Sequence, residues 1–301
     1  MKLKFLPGYL FFITFTIIFL LTPCSPASHS SSMVSDEPGW RLTFADEFEG
    51  TTLNTDVWDT CIPWWDPDYC TIEDDSELQV YLPENAYLDG NGHLMLKAQK
   101  KVVGERSYAS GMVDTYNSFS FTYGYIETRV KIPAGKGFWP AFWMLPPNDG
   151  PWPIDEIDGM ENLGYDPTTV YFTYHWPSDG TAENFQSHYT SSDFSTDWHT
   201  FAVDWEPSAV TWYVDGVERA RYTEAENITS KPMFLILQLA IGGQDSWPGP
   251  PHDTTPFPSY FQIDYIRVWQ QISLTKIYLV LMGKTTAENA ESLLSPHDTL
   301  K

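Results

Sequence analysis

Three carboxylates lie within six positions of one short stretch, at Glu156, Asp158 and Glu161. Side chains alternate between the two faces of an extended strand, so Glu156 and Asp158 share a face whereas Glu161, by parity, points away. One extra residue at Gly159 or Met160, a β-bulge, would return Glu161 to the first face, and glycine tolerates the bulge conformation. The spacing therefore predicts a bulged strand that gathers three acids.

Three like charges in one place repel, and a shared proton relieves the repulsion by leaving a high-pKa acid beside an ionised carboxylate. That combination suits the hydrolysis of glycosidic bonds. A solvated strand face and a calcium loop are the alternatives. The segment lacks the alternating oxygens and the span of an EF-hand loop, and its aromatic surroundings argue against a solvated face. The aromatic residues nearby are Phe138, Trp139, Phe142, Trp143, Tyr171, Tyr174 and Trp176.

The rest of the chain predicts a β-sheet framework for these acids. With 301 residues and 42% hydrophobic content, the chain can form one large core, and we expect a single domain over residues 37–271. About a dozen short apolar or alternating runs are separated by turn signals, as at Leu94 to Ala98 and Phe234 to Ile241. Nothing resembles a long amphipathic helix. We therefore predict an all-β, two-sheet jelly-roll sandwich whose concave sheet forms a substrate cleft.

Composition narrows the class of partner. Seventeen basic residues against forty acidic ones give a net charge of -23, which argues against nucleic acid and against strongly sulfated polymers. Thirteen tryptophans within a 16% aromatic content offer flat rings on which sugars can stack. We expect a monomer that binds a neutral polysaccharide.

The two ends of the chain differ from its middle. Residues 1–27 have the charged start and the short apolar run, Tyr9 to Leu21, of a secretory signal, which is too short for a permanent membrane span. Residues 28–36 read as a flexible leader, and 272–301 as a tail to which we assign no role. We expect secretion, with a lipid anchor at Cys24 as the alternative.

Export favours disulfides, because secreted proteins fold in an oxidising compartment. The two cysteines beyond the signal, Cys61 and Cys70, lie close together in the sequence. We predict that they form a disulfide that closes a small aromatic loop.

The segment Glu156 to Glu161 resembles the bulged active-site signature of the family 16 glycoside hydrolases, the laminarinase-like jelly rolls. Further motifs resemble those of the family in the expected order, at Phe44 to Phe48, Phe119 to Pro133, Gly137 to Leu145, Leu239 to Gly243 and Ile263 to Val268. The resemblance implies a retaining endo-β-glucanase that acts on β-1,3- or mixed β-1,3/1,4-glucan and needs no cofactor for catalysis. It makes Glu156 the nucleophile, Glu161 the general acid/base and Asp158 the helper between them.

The resemblance also implies residues that contact the sugar. They are Trp139, Trp143, His175, Arg129, Asn85 and Trp247. Trp139 and Trp143 share one face of their strand by alternation, although packing in the core is the alternative for either ring. For His175 the alternative is a structural hydrogen bond. Gln238 stands where laminarinase-like members often have asparagine, so its role is left open.

A structural calcium is the last feature that the resemblance implies, with Asp264 and Glu47 as its candidate ligands; a plain hydrogen-bonding aspartate is the alternative. For function, the alternatives are a galactan-active hydrolase of the agarase or carrageenase kind, a non-catalytic β-glucan-binding protein, and transglycosylation.

Overall fold

The computed structural model describes residues 39–62, 70–71, 76–147 and 153–272. The strands of this part are, in chain order, β1 (Trp40–Asp46), β2 (Gln79–Tyr81), β3 (Ala86–Leu88), β4 (Leu94–Val103), β5 (Arg106–Ser110), β6 (Met112–Asp114), β7 (Gly124–Lys131), β8 (Phe138–Leu145), β9 (Glu156–Asn162), β10 (Thr169–Ser178), β11 (Thr181–Thr190), β12 (His199–Glu206), β13 (Ala209–Val214), β14 (Val217–Tyr222), β15 (Phe234–Ile241) and β16 (Ser259–Gln271). Two single-turn 3₁₀ helices, Pro83–Asn85 and Ala225–Asn227, are the helical elements of the described residues. The predicted signal, the leader and the tail from residue 273 onwards lie outside them.

The strands form two sheets. The six-stranded sheet has the order β11-β10-β9-β8-β15-β6, and all its pairs are antiparallel. The ten-stranded sheet has the order β14-β13-β12-β7-β16-β4-β5-β2, with β1 added beside β16 and β3 beside β4. This architecture confirms the predicted two-sheet, all-β fold. The strand that carries the acids, β9, is an interior strand of the six-stranded sheet.

Alternation along the strands builds the main core between the two sheets. On β15, Leu235, Leu237 and Leu239 face this core. On β7, Ile126 and Val130 do so from the opposite sheet. Burial of apolar surface at this scale is the main favourable contribution to folding.

The other face of the six-stranded sheet carries a second apolar cluster, which makes β15 buried on both faces. Phe234 and Ile236 belong to it together with Ile62 and Tyr81, and Trp143 packs against it. Since Trp143 is paired with Asp158 across β8 and β9, this cluster lies on the same face as the acid.

A disulfide holds the polypeptide that supplies Ile62. It joins Cys61 to Cys70, the two cysteines that the sequence analysis paired, with their α-carbons 4.9 Å apart. The backbone N–H of Tyr81 donates to the carbonyl of Cys70 at 2.8 Å, which links Cys70 to β2. Ile62 and Cys70 therefore pack beside β15 on the acid-bearing face, whereas the residues between them lie outside the described ranges. No helix in the described ranges has the length and hydropathy needed to cross a bilayer.

Candidate active site

A β-bulge interrupts β9 where the sequence predicted it. On the neighbouring strand β8, Trp143 is opposite Asp158 and Phe142 is opposite Met160, so Gly159 is the extra residue. Such a bulge shifts every later side chain to the other face of its strand. The prediction of a bulge at Gly159 or Met160 is confirmed, with Gly159 in that position.

The pairing with β10 shows what the bulge achieves. The residues opposite Glu156, Asp158 and Glu161 are His175, Thr173 and Tyr171, respectively. These partners are every second residue of β10, so they share one face. Residues directly opposite each other in an antiparallel pair project from the same face, and the three acids therefore project together.

The reason for glycine at the bulge differs from the one that the sequence suggested. The φ angle of Gly159 lies outside the left-handed region, so its backbone conformation does not require glycine. A Cβ there would lie 2.5 Å from Cε1 of Phe142 and 3.1 Å from Cγ2 of Val203. Close packing against both sheets excludes a side chain.

The acids lie in the sheet without a lysine or arginine partner from the described part of the chain, and two of them are buried. Asp158 is 3% exposed and Glu161 is 8% exposed, and within the described ranges no lysine or arginine forms an ion pair with either of them or with Glu156. Burial, and next the charge of Asp158, raise the pKa of Glu156. Burial and Glu161 raise the pKa of Asp158.

Glu161 is held in a protonated state near neutral pH. Burial, with a further contribution from Glu156, raises its pKa to about 8, although a hydrogen bond from Trp139 lowers it. That bond runs from Nε1 of Trp139 to Oε1 of Glu161 at 3.0 Å. A carboxylic acid that keeps its proton at neutral pH can act as a general acid.

His175 adjoins the other end of the acid group. Its Nε2 lies 3.3 Å from Oδ2 of Asp158, and burial lowers the pKa of His175 against the opposing charge of Glu156. The ring is therefore neutral at neutral pH. Donor atoms of Glu156, Asp158 and His175 all lie within 4.8 Å of one another, a set that could hold a metal ion but that is equally suited to sharing a proton.

Aromatic rings surround Glu161. The ring centres of Trp139 and Trp247 are 6.3 Å apart, and those of Trp247 and Tyr171 are 4.6 Å apart. Trp247 is 40% exposed, so this part of the site is accessible. The structure thus brings Trp139, Trp247 and, opposite Asp158, Trp143 to the acids.

Sequence reasoning did not name Thr173 or Gln186, and it gave no site role to Tyr171 or Gln238. Tyr171, Thr173 and Gln238 nevertheless have their place on the acid-bearing face. Thr173 lies with its Oγ1 3.5 Å from Oε2 of Glu161, and Nε2 of Gln186 lies 3.4 Å from the same hydroxyl. Tyr171 and Thr173 alternate with His175, which could have indicated their shared face. Gln238 is opposite Ala141, which is itself opposite Glu161, so it belongs to this face too.

Asn85 was predicted to contact the sugar, and the structure contradicts this. The side chain is 0% exposed. Its Nδ2 donates to the carbonyl of Lys97 at 2.6 Å, and its Oδ1 accepts from Nε2 of Gln99 at 3.0 Å. Both ends of the amide therefore hold β4 in place.

Arg129 is also outside the site. It belongs to β7, in the other sheet, and alternates with Ile126 and Val130, whose side chains enter the core, so it points away from the core. Its Nη1 donates to Oδ2 of Asp264 at 2.6 Å. Arg129, which was predicted to contact the sugar, is thus bound to Asp264, which was predicted to bind calcium.

Glu47, the other predicted calcium ligand, is occupied in the same way. Nε and Nη2 of Arg267 donate to its two carboxylate oxygens, each at 2.7 Å. With Asp264 and Glu47 each neutralised by a guanidinium, this arrangement does not fit a shared calcium site.

Comparison with known proteins points to one family. The model of the family described as "Glycosyl hydrolases family 16" matches residues 65–267. Among curated proteins, the endo-1,3-1,4-beta-glycanase ExsH of Rhizobium meliloti is 33% identical over 261 residues, which is 80% of this chain and 54% of the relative. A beta-glucanase of Rhodothermus marinus is 32% identical over 283 residues, covering 84% of this chain and 94% of that protein.

Solved structures agree with this. The laminarinase catalytic domain from Thermotoga maritima has a TM-score of 0.69 and 38% identity, and the match covers 78% of this chain and 99% of that one. A non-specific endo-beta-1,3(4)-glucanase, SCLam, has a TM-score of 0.67 and 30% identity, with 78% and 92% covered. The chain spans about half the length of the first curated relatives that it matches, at 54% and 53%.

Proposed function

Because the chain belongs to glycosyl hydrolase family 16, we propose that it is a retaining endo-β-glucanase that hydrolyses β-1,3-glucan or mixed β-1,3/1,4-glucan. The observation that carries this proposal is the bulged strand, which sets Glu156, Asp158 and Glu161 on one face without a lysine or arginine partner among the described residues. The names of the relatives, a β-1,3-1,4-glycanase, a β-glucanase and laminarinases, support the choice of substrate.

The first step forms a covalent intermediate. The carboxylate of Glu156 attacks the anomeric carbon, the glycosidic C–O bond breaks, and the proton of Glu161 moves to the leaving oxygen. In the second step Glu161, now a carboxylate, takes a proton from water; the hydroxide oxygen bonds to the anomeric carbon, and Glu156 leaves as a carboxylate. Two inversions at the same carbon retain its configuration.

The arrangement of protons suits these roles. Glu161, with a pKa raised to about 8, starts as the acid. Glu156 and Asp158 hydrogen bond to each other through their carboxyl groups, an interaction that raises the pKa of Glu156 and lowers that of Asp158, so the two groups can share a proton. A proton on Asp158 would hydrogen bond to the ionised nucleophile, and neutral His175 at 3.3 Å supports Asp158 from the other side.

Sugar binding is proposed for the aromatic rings beside the acids. Trp139 and Trp247, together with Tyr171 beside Trp247, offer ring faces and polar edges. Trp139 has a role in both sugar binding and catalysis, because its indole N–H also donates to the general acid Glu161. No step uses a metal, and a structural calcium would require Asp264 to exchange Arg129 for the ion.

The function is tested by measuring reducing ends released from laminarin, mixed-linkage glucan, xyloglucan, agarose and κ-carrageenan, with Glu156→Gln as the inactive control. Activity on the first two that is lost in the variant supports the proposal. Activity on agarose or κ-carrageenan would keep the mechanism and replace the substrate. Binding to laminarin without any release would favour a glucan-binding protein, and products longer than the starting oligosaccharide would reveal transglycosylation.

We also propose that the protein is secreted as a monomer after removal of residues 1–27, on the basis of that segment's pattern and of the Cys61–Cys70 disulfide. Expression of the full chain in a secreting host, followed by amino-terminal sequencing and light scattering, tests both points. A mature protein that begins with a lipid-modified Cys24 would replace secretion with anchoring.

A further inference from the structure

One hydrogen bond crosses from the ten-stranded sheet to the backbone of the acid-bearing strand. Nε1 of Trp212, on β13, donates to the backbone carbonyl of Asp158 at 2.8 Å, and the bond is buried. Asp158 is the residue immediately before the extra residue of the bulge, Gly159. The facing sheet therefore contacts β9 at the point where its pairing is interrupted.

The ring that donates this bond is itself held in place. Trp212 is fully buried in the main core, and its ring stacks on Phe172 and Phe185, with centres 6.4 and 5.8 Å away. Phe172 belongs to β10, which pairs with β9, and Phe185 belongs to β11, which pairs with β10. The indole is thus fixed by the sheet that it supports.

A bulge needs this kind of support, because it disrupts the regular ladder of hydrogen bonds and leaves one residue unpaired. Without the bulge, Glu161 would lie on the core face of β9, away from Glu156 and Asp158. Because Gly159 has no side chain, the bulge fits against Phe142 and Val203 without a clash. These packing contacts supply no hydrogen bond to the bulge, whereas Trp212 does.

We propose that Trp212 is a positioning residue for catalysis, which acts by fixing the carbonyl of Asp158 and with it the register of the three acids. The inference rests on the proposed hydrolase function. Trp212 contacts neither the substrate nor the reacting atoms; it acts through the backbone of β9. Loss of its N–H frees the bulge to shift and separates the general acid from the nucleophile.

The test compares two tryptophan-to-phenylalanine variants. Trp205 is a matched control, since it is also fully buried in the same core and lies on the adjacent strand β12, while its Nε1 has no hydrogen-bond partner in the structure. Trp212→Phe should lower kcat on laminarin by about 10²-fold, as expected for a displaced catalytic group, and should shift the pH profile. Trp205→Phe should keep kcat and the pH profile of the parent protein.

Amide hydrogen exchange of the peptide that spans residues 156–162 provides a readout that does not depend on activity. Exchange there should be faster in Trp212→Phe than in Trp205→Phe at equal global stability. Parent-level kcat and unchanged exchange in Trp212→Phe would overturn the proposal, and so would equal losses in both variants. If Trp212→Phe does not fold, a benzothiophene analogue at position 212, which keeps the shape without the N–H, replaces it. A parent protein inactive on every glycan would refute the hydrolase and leave the exchange result to decide the role of Trp212.

Discussion

The carboxylates of the two sheets differ in whether an arginine is paired with them. On the ten-stranded sheet, the side chain of Asp264 is bound by Arg129 at 2.6 Å, and both oxygens of Glu47, next to β1, are bound by Arg267 at 2.7 Å. On the six-stranded sheet, Asp158 and Glu161 are buried at least as deeply as Asp264, but no lysine or arginine of the described ranges pairs with them or with Glu156.

This difference distinguishes carboxylates that stabilise the fold from carboxylates that can transfer a proton. An arginine beside a carboxylate favours the ionised form, and such a pair links neighbouring strands without offering a proton. A buried carboxyl without a cation keeps its proton to higher pH, as Glu161 does with a pKa of about 8. The fold therefore places charge-compensated acids where they connect strands, and uncompensated acids where a proton must be transferred.

The largest expected effect is the loss of the nucleophile. Glu156→Gln removes the attacking oxygen and should reduce kcat by more than about 10³-fold, while laminarin still binds. Activity is measured as released reducing ends, and binding by affinity electrophoresis or calorimetry. Near-normal turnover in this variant would show that the uncompensated acids of β9 are not the catalytic group.

Removal of the general acid should depend on the leaving group. Glu161→Ala should lose about 10²- to 10⁴-fold in kcat on glucan, because the leaving oxygen goes without its proton. Aryl β-glycosides with good leaving groups need less acid assistance and should recover part of the rate. An equal loss on both kinds of substrate would contradict the role of Glu161.

The hydrogen bond from Trp139 should set the alkaline limit of activity. Glu161 must be protonated, so kcat/KM should fall as the pH rises through about 8. Trp139 lowers the pKa of Glu161, and Trp139→Phe should therefore move the alkaline limb to higher pH. Trp247→Phe, which alters a neighbouring ring that does not donate to Glu161, is the matched control and should leave the limb in place. A shift to lower pH would reverse the assigned sign.

The smallest effect on activity is expected from the compensated acids. Arg129→Met breaks the ion pair with Asp264 and should reduce the free energy of unfolding by about 1–2 kcal/mol, with kcat and KM unchanged. Arg267→Met, which releases Glu47 in the same way, is the companion variant. A rise in KM for Arg129→Met alone would restore Arg129 to the substrate site.

The sequence predicted the parts of this site that depend on local periodicity. If Glu156, Asp158 and Glu161 are to share a face, their spacing requires one extra, bulged residue between the second and third acid. The structure has that residue at Gly159. The same alternation placed Trp139 and Trp143 on one face. These predictions needed only the two-residue repeat of a strand.

The sequence could not determine which sheet a strand joins or which side chains meet across it. Arg129 lies outside the site because β7 pairs with β12 and β16, and Asn85 because its amide is buried against β4. The absence of side-chain space at Gly159 and the bond from Trp212 to Asp158 likewise join residues that are distant in the chain. Periodicity along a strand is a local property of the backbone, whereas burial, pairing and the pKa values that follow from them depend on which distant segments pack together, so only the tertiary structure decided them.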